Sequence, residues 1–377
     1  MKAVVQHTGW LVPVILVLGA LGLGASYGVA ARSNPRIVTN PTSFAQVSSA
    51  IAPLSLAVFG PEIDLAKVQG AEACGECHAA EIEAWKQSAH FKTFKTMHKL
   101  KDEDNEFRAR KIADALDLKG SIKRNDLCFN CHYTARIVDE KPKSVSGVSC
   151  ESCHGAAADW INVHNDYGAN KTKETETPEH REMRLKACDA SGMLRPANVY
   201  LVARNCYSCH SVPNEKLVNV GGHKAGSAFE LVSWSQGEVR HNYQYSSDQK
   251  NRAASLERKR VLYVVGAMTD LEFSLRGIAA ATEKGRYASA MVKRFQAAMT
   301  RLEEIFKLVD LPRLQEVAPP NGGRGLVKLN NQSPLRDAAE SLSQATKTFA
   351  ANNDGSTLGP LDALIPGPEK YHGTAQP

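Results

Sequence analysis

The chain has 377 residues, which is enough for one large domain or two modest ones with real hydrophobic cores. Its formal net charge is +6 at pH 7, but no cluster of five or more Lys and Arg residues occurs, which argues against a protein that binds nucleic acid. The composition is ordinary for a globular protein except for nine cysteines.

The N-terminal segment, residues 1–32, is predicted to target the chain to a membrane. No Asp, Glu, Lys or Arg occurs from Ala3 to Ala31, and the 21 residues from Leu11 to Ala31 are near the roughly 20 that span a bilayer as a helix. The small residues Val29 and Ala30 before Ala31 would also suit a signal peptidase. We expect a retained N-terminal anchor, with a cleaved signal as the alternative. Both place the chain on the periplasmic side of the cytoplasmic membrane.

Composition divides the rest of the chain into four sections. Residues 33–69 are rich in Pro, Ser, Ala and Thr and are predicted to form a linker. Residues 70–250 hold eight of the nine cysteines in pairs, with short helical patterns and few alternating strand patterns. Residues 251–352 are predicted to be helical, and the Gly- and Pro-rich residues 353–377 to form a flexible tail.

Two helical patterns are clear enough to place. The residues from Ala79 to Leu100 have apolar side chains near helical spacing. In the C-terminal section, a long amphipathic helix is predicted to carry one apolar stripe from Leu262 to Ile278 and to stop at Gly285. A second helix should run from about Tyr287 to Leu308, and a third should begin with Ser333 as its N-cap. The predicted fold class is mainly α with little strand, ending in a hairpin or bundle of long helices.

One five-residue word recurs in the cysteine-rich section. It has the form C-x-x-C-H, and four copies are far beyond chance for a chain with nine Cys and twelve His residues. The four words are Cys74-Gly75-Glu76-Cys77-His78, Cys128-Phe129-Asn130-Cys131-His132, Cys150-Glu151-Ser152-Cys153-His154 and Cys206-Tyr207-Ser208-Cys209-His210.

This spacing suits covalent attachment of haem. Two thiols one helical turn apart can add to the two vinyl groups of one porphyrin, and the following imidazole then reaches the iron from the same side. The sequence therefore predicts four covalently attached haem c groups, with His78, His132, His154 and His210 as the proximal ligands.

Zinc is the main rival for any C-x-x-C pair. Cys128, Cys131, Cys150 and Cys153 form C-x2-C-x18-C-x2-C, which fits a zinc ribbon. Every pair is followed directly by His, however, and a zinc site formed by four thiolates does not need a histidine ligand. Haem is favoured, with zinc and disulfides as the alternatives.

Each haem iron has a sixth coordination position. Outside the four words and the targeting segment there are seven histidines, which is enough for a second imidazole on every iron. Methionine is a possible but less favoured sixth ligand. These candidates are His90, His98, His164, His180, His223, His241 and His372.

The residues CGECHAAEIEAWKQSAH, SGVSCESCHG and RNCYSCH together resemble the tetrahaem cytochrome c-554 family, which occurs with hydroxylamine oxidation in ammonia oxidisers and in other periplasmic electron-transfer chains. The resemblance covers about residues 70–242. It does not cover the N-terminal anchor or the helices after about residue 250. It implies a mainly helical domain whose haems lie in two roughly stacked pairs.

The resemblance also implies distal ligands. His90 resembles the distal ligand of the third haem, His164 that of the first, and His241 is the nearest fit for the fourth. The family's second haem is a five-coordinate, open site, and we expect His223 to close it here, with His98 as the substitute. The remaining two histidines, His180 and His372, have polar neighbours and are expected to face solvent.

The expected function is electron transfer between redox partner proteins, without a catalytic site, since no nucleotide-binding loop occurs. Basic stretches such as FKTFKTMHKLK could steer an acidic redox partner. One alternative is an enzyme: if His223 does not ligate, an open iron at His132 could bind nitric oxide or hydroxylamine. Another is a haem subunit of a larger membrane redox complex or a homo-oligomer, which an uncovered stripe from Leu262 to Ile278 would indicate.

Overall fold

Helices dominate the protein, as the sequence predicts. The computed structural model describes residues 63–244, 246 and 248–377, so the predicted anchor and the linker as far as residue 62 lie outside the described residues. The mainly α fold class is confirmed, and two strands are present in the described part. The elements are α1 (Ala79–Gln87), α2 (Ala89–Thr96), α3 (Arg108–Ala115), α4 (Asp126–His132), β1 (Tyr133–Val138), β2 (Lys141–Gly147), α5 (Cys150–His154), α6 (Pro178–Ala190), α7 (Val199–His210), α8 (Glu215–Asn219), α9 (Leu231–Ser235), α10 (Leu256–Ala280), α11 (Arg286–Leu308), α12 (Pro312–Val317) and α13 (Gln332–Asn352).

No helix among the described residues is long and apolar enough to cross a bilayer.

The first predicted helix is interrupted. Ser88 has extended backbone angles, and its side-chain oxygen accepts a hydrogen bond from the backbone N–H of Phe91 at 3.2 Å. Serine is a strong N-cap because its hydroxyl satisfies one of the free N–H groups of a new helix. The pattern predicted from Ala79 to Leu100 therefore folds as α1 and α2, and the start of α2 sets the direction in which His90 projects.

Strands β1 and β2 form a short antiparallel hairpin. It has a bulge between Thr134 and Ala135, and its turn at Asp139 and Glu140 has positive φ at both residues. A bulge bends a strand locally and strengthens its twist. The hairpin begins directly after His132 and ends three residues before Cys150, so it joins the second cysteine word to the third.

Helix α10 is buried on all sides. Every residue from Arg260 to Ala279 is buried, and α10 packs against α7, α9, α11 and α13. The sequence predicted a single apolar stripe, and this was wrong because helices cover α10 from several directions. The stripe from Leu262 to Ile278 is covered within the chain, so it gives no reason to expect a partner there.

The ends of the C-terminal helices also differ from the prediction. Helix α10 ends at Ala280, and Gly285 is the N-cap of α11 instead of a stop signal for α10. Helix α13 begins at Gln332 after Asn331, which leaves Ser333 inside the helix. These shifts of a few residues do not alter the bundle.

One hydrophobic cluster contains residues from both sides of position 250. Val199, Tyr200 and Tyr207 of α7 belong to the same buried cluster as the apolar residues of α10, α11 and α13. All the described residues fall in one compact unit. The helix that carries the fourth cysteine word is thus held directly by the C-terminal helices.

The C-terminal residues are packed, although their Gly and Pro content predicted a flexible tail. The 3-10 helix Ser356–Leu364 buries Leu358 and Leu361 in the same cluster. The Arg260 guanidinium donates to the Asp362 carboxylate at 2.6 and 2.9 Å. Apolar contacts and this two-point ion pair hold the segment in place, although its composition alone did not indicate any packing.

Candidate haem sites

Each cysteine word folds as a turn of helix. In the first word the backbone N–H of His78 donates to the carbonyl of Cys74 at 3.0 Å. The second word lies in α4, the third forms α5, and the fourth ends α7. The helical turn places both thiols and the imidazole of each word on neighbouring positions, as attachment of a porphyrin requires.

Each word histidine faces one histidine from elsewhere in the chain. Four pairs of imidazole rings result, and all have nearly the same separation between ring centroids. The pairs are His78 with His164 at 6.2 Å, His90 with His210 at 6.2 Å, His132 with His223 at 6.1 Å, and His154 with His241 at 6.1 Å.

This separation fits one metal ion between two rings. A metal–imidazole bond is about 2.0–2.1 Å and the ring centre lies roughly 1.1 Å behind the bonding nitrogen, so two imidazoles that would share one metal ion between them would have centroids roughly 6.2–6.4 Å apart. Packed rings without a metal have centroids 4.5–7 Å apart and no reason to share a value. Four pairs at 6.1 or 6.2 Å therefore fit two-histidine ligation at every word.

Hydrogen bonds hold several of these rings in the form that binds a metal. A carbonyl oxygen can only accept a hydrogen bond. Where Nδ1 bonds to a carbonyl oxygen, Nδ1 therefore carries the hydrogen, and Nε2 is free to bind a metal. Four rings make such a bond: His154 to Leu194 at 2.9 Å, and His164 to Ile161, His223 to Lys224 and His241 to Val239 at 2.7 Å.

Burial keeps the deeper imidazoles neutral. It lowers the pKa of His132 to about 4 and the pKa of His210 to about 3, and in both cases a facing imidazole, His223 or His90, lowers the pKa further. Burial also lowers the pKa of His90, His154 and His164. A metal ligand must be unprotonated, so these environments favour ligation at neutral pH.

Two of the four pairings agree with the resemblance. His164 faces His78 of the first word, and His223 faces His132 of the second. The other two are exchanged: His90 faces His210 of the fourth word, and His241 faces His154 of the third.

The packing of α2 explains the exchange at His90. The Thr93 hydroxyl, one turn after His90, lies 2.7 Å from the carbonyl oxygens of both His90 and His132, and so connects α2 to the second word. Helix α2 also packs on β2 and α4. His90 is thereby held beside the second and fourth words.

The remaining three candidate histidines face no second histidine in the described residues. His98 is exposed, and His180 is partly exposed and bonded to Glu176 at 2.8 Å. His372 is exposed, as expected, but its ring stacks on Trp234 with centroids 3.7 Å apart. His98 therefore does not serve as the substitute ligand that the sequence left open.

Several residues that support the sites were not foreseen from the sequence. Phe229 stacks on His210 with centroids 4.8 Å apart, and the Ser227 hydroxyl lies 3.2 Å from His210 Nδ1. Arg184 donates to the carbonyl of His164 at 2.6 Å. These are single polar or aromatic side chains far from their partners in sequence, and spacing carries no signal for them.

The zinc alternative is not supported by where the cysteines lie. Cys209 of the fourth word lies beside the second word, with its Sγ 3.8 Å from the carbonyl oxygen of Asn130, whereas the third word packs on the 3-10 turn Ala71–Cys74, which contains the first cysteine of the first word. No group of three or more His, Cys, Asp or Glu side chains in the described residues is arranged to hold a metal ion. All nine cysteines lie in the described part, and no two of them form a disulfide.

The same contacts place the words in a spatial order. The Glu151 carboxylate of the third word accepts hydrogen bonds from the backbone N–H groups of Gln69 and Gly70, just before the first word. The Cys209 Sγ of the fourth word lies 3.8 Å from the carbonyl oxygen of Asn130 in the second. The third and fourth words are joined where the Asn205 amide donates to the carbonyl of Ser152 at 2.9 Å. The order is first, third, fourth, second, so the first and second words lie at the two ends.

A helical fold with four C-x-x-C-H turns, each facing a further imidazole, defines a multihaem c-type cytochrome. Residues 73–155 match the family model of cytochrome c554 and c-prime. The chain is also 24% identical over 151 residues to cytochrome c-554 of Nitrosomonas europaea, which covers 38% of this chain and 58% of the relative. The cysteine-rich part of the chain is therefore similar to proteins of the cytochrome c-554 family.

The family implies covalently bound haem c and a role in electron transfer. The match to the relative spans little more than half of that protein's length and does not extend over the whole of this chain. No solved structure matches the chain.

Proposed function

We propose that this chain is an exported, membrane-tethered tetrahaem cytochrome that passes electrons between redox partner proteins. The observation that supports it best is the common ring separation at the four imidazole pairs. When bound, haem c supplies one-electron chemistry at each word. The N-terminal segment 1–32 supplies the proposed tether on the periplasmic side of the membrane.

The protein's own residues would set the properties of each site. Paired imidazoles donate more strongly to iron than imidazole with thioether, which favours low potentials. The bonds from Nδ1 to carbonyl oxygens orient the rings of His154, His164, His223 and His241. Contacts between neighbouring words bring them close together, in an order that runs from the first word to the second.

The second word decides between this function and the enzymatic alternative. An open iron would need the side facing His132 to be free, whereas the His223 ring lies 6.1 Å away, at the separation found for the other three pairs. His223 therefore supports a closed site and electron transfer rather than ligand chemistry.

The test is the spin state of the matured protein. We expect a mass increase of four haem groups over the processed chain and spectra dominated by low-spin iron. His223→Ala should convert one haem to the high-spin state and open it to nitric oxide, because it removes the facing imidazole. Electron paramagnetic resonance measures this directly.

His98→Ala is the matched control, since His98 is an exposed histidine that faces no other imidazole in the described part. It should leave the spectrum unchanged. A wild-type protein with one high-spin haem that binds nitric oxide rapidly would favour the enzyme. A protein with the mass of the bare chain would overturn both functions.

A further inference from the structure

The spatial order of the cysteine words leaves two ends at which partners could exchange electrons. The third and fourth words lie between the first and the second, as the hydrogen bonds and contacts between neighbouring words show. An electron donor and an acceptor would therefore be expected at the ends, provided that the proposed function holds. The two ends differ in charge.

The end near the second word is basic. Residues 92–101 contain four lysines and no carboxylate. His98 and Lys99 are exposed in the turn that follows α2, and the Lys123 ammonium lies against the Phe94 ring of α2. Lys123 precedes α4, the helix that contains the second word, by three residues. We call His98, Lys99, Leu100 and Lys123 the Lys123 patch.

Aromatic contacts connect the Lys123 patch to the second word. The Lys123 ammonium lies 3.6 Å from the centre of the Phe94 ring, and Phe94 packs edge-on against Tyr133. Tyr133 is buried and directly follows His132. The carbonyl of Lys123 also accepts a hydrogen bond from the Ser144 hydroxyl at 2.6 Å, which fixes its backbone to the hairpin. The patch is therefore a fixed surface one layer of side chains from the second site.

The charges of the Lys123 patch are not neutralised by the chain. In the part of the chain that the structure describes, no ion pair joins Lys99 or Lys123 to a carboxylate. The carboxylates of the following loop are engaged elsewhere, because Asp102, Asp104 and Glu106 all contact the Lys111 ammonium at 2.9–3.3 Å. Leu100 beside them is 43% exposed, which adds an apolar contact to the basic surface.

The end near the first word has the opposite character. Residues 63–91 carry five carboxylates and two lysines. Glu72 and Glu76 are exposed, and Glu76 lies within the word itself. A partner attracted to one end by charge would be repelled by the other.

We propose that the Lys123 patch is the docking site for an acidic redox protein, which exchanges electrons with the second haem. The surface suits a short-lived complex, since electron-transfer interfaces are small and depend on charge steering for their association rate. This deepens the proposed function by naming the face and the kind of partner.

The experiment uses the matured protein and a plant-type [2Fe–2S] ferredoxin as an acidic one-electron probe. Binding of the oxidised ferredoxin is measured by calorimetry, and reduction of the haems by the reduced ferredoxin is measured by stopped flow. Lys99→Gln with Lys123→Gln should weaken binding and slow the second-order reaction by about 5- to 20-fold at low ionic strength. The difference should nearly disappear at about 0.5 M salt, where charges are screened over a few ångströms.

The matched control is Lys328→Gln with Lys347→Gln, which makes the same change of charge at two exposed lysines in the C-terminal region. It should bind and react as the wild type. Lys123→Gln also removes the contact with the Phe94 ring, which could affect folding. Lys99→Glu alone leaves that contact in place and should likewise weaken ferredoxin binding. A further variant, Glu72→Gln, at an exposed carboxylate outside the first word, should bind the ferredoxin no more weakly than the wild type.

Three results would overturn the proposal: equal loss in both double variants, no loss in the Lys123 patch variant, or loss that salt does not remove. Binding of the patch to phosphatidylserine vesicles with no effect on ferredoxin would assign it to a membrane surface instead. Failure of the proposed function itself would give a different result, since dithionite would then not reduce the wild-type protein.

Discussion

At the scale of single residues, Glu151 joins the first and third cysteine words. It lies inside the third word and is fully buried. Its carboxylate accepts hydrogen bonds from the backbone N–H groups of Gln69, Gly70 and Ala157 at 2.7–2.8 Å. The chain that leads into the first word is thus held by a side chain of the third.

Glu151→Gln should destabilise the protein by about 2–4 kcal/mol, because charged hydrogen bonds are lost and an amide NH2 group would face backbone donors. The free energy of unfolding from denaturant titration measures the loss. Glu303→Gln, at an exposed carboxylate of α11, should change it by less than about 0.5 kcal/mol. Equal stability of the two variants would contradict this account.

Residue spacing explains which parts of the sites could be predicted. The eight thiols and four imidazoles of the words follow from chemistry within five residues, so the sequence is sufficient to find them. Which imidazole faces which word depends on distant packing, such as the bond between Thr93 and the carbonyl of His132. For that reason His90 and His241 were expected at each other's sites.

At the scale of secondary structure, α10 is stabilised by close approach of its neighbours. A Cβ atom at Gly277 would lie 2.6 Å from Sδ and 2.8 Å from Cγ of Met291 on α11. Glycine in a helix normally costs about 0.5–1 kcal/mol relative to alanine, so its place here reflects the contact rather than helix propensity.

Gly277→Ala should therefore destabilise the protein, by about 1–3 kcal/mol, since overpacking outweighs the gain in propensity. Met291→Ala removes the atoms that would clash, and in that background Gly277→Ala should be neutral or stabilising. A double-mutant cycle of unfolding free energies measures the coupling between the two positions. Additive effects would show that the contact is not the reason for the glycine.

Helix α10 also shows what the sequence pattern could not provide. Its length and approximate position were predictable from the apolar spacing. The pattern did not reveal that Glu272 and Arg276 would be buried as a pair 2.8 Å apart, because a charged residue in a helix usually indicates the solvent side. Likewise, the packing of Leu358 on this bundle was hidden by the Gly and Pro residues around it.

At the scale of the whole molecule, the folded state should lose stability in acid, because the residues that hold His164 of the first site include an ionised carboxylate. The Glu176 side chain is 1% exposed and makes two hydrogen bonds with Arg184, which in turn donates to the carbonyl of His164. The hydrogen bonds with Arg184, aided by His180, lower the pKa of Glu176 to about 2. The pH dependence of stability should therefore contain a contribution from this carboxylate.

The sign follows from proton binding. Because the folded pKa of Glu176 lies below its ordinary value of 4.5, the unfolded chain binds more protons between about pH 4.5 and about pH 2. The stabilisation is fully present above that range and is lost as the pH falls through it.

Glu176→Gln should lower the melting temperature at pH 7 and reduce its fall from pH 5 to pH 3. Circular dichroism melts across this range measure both effects. Glu316→Gln, at an exposed carboxylate of α12, should keep the wild-type pH dependence, and the same dependence in Glu176→Gln would remove Glu176 as its cause.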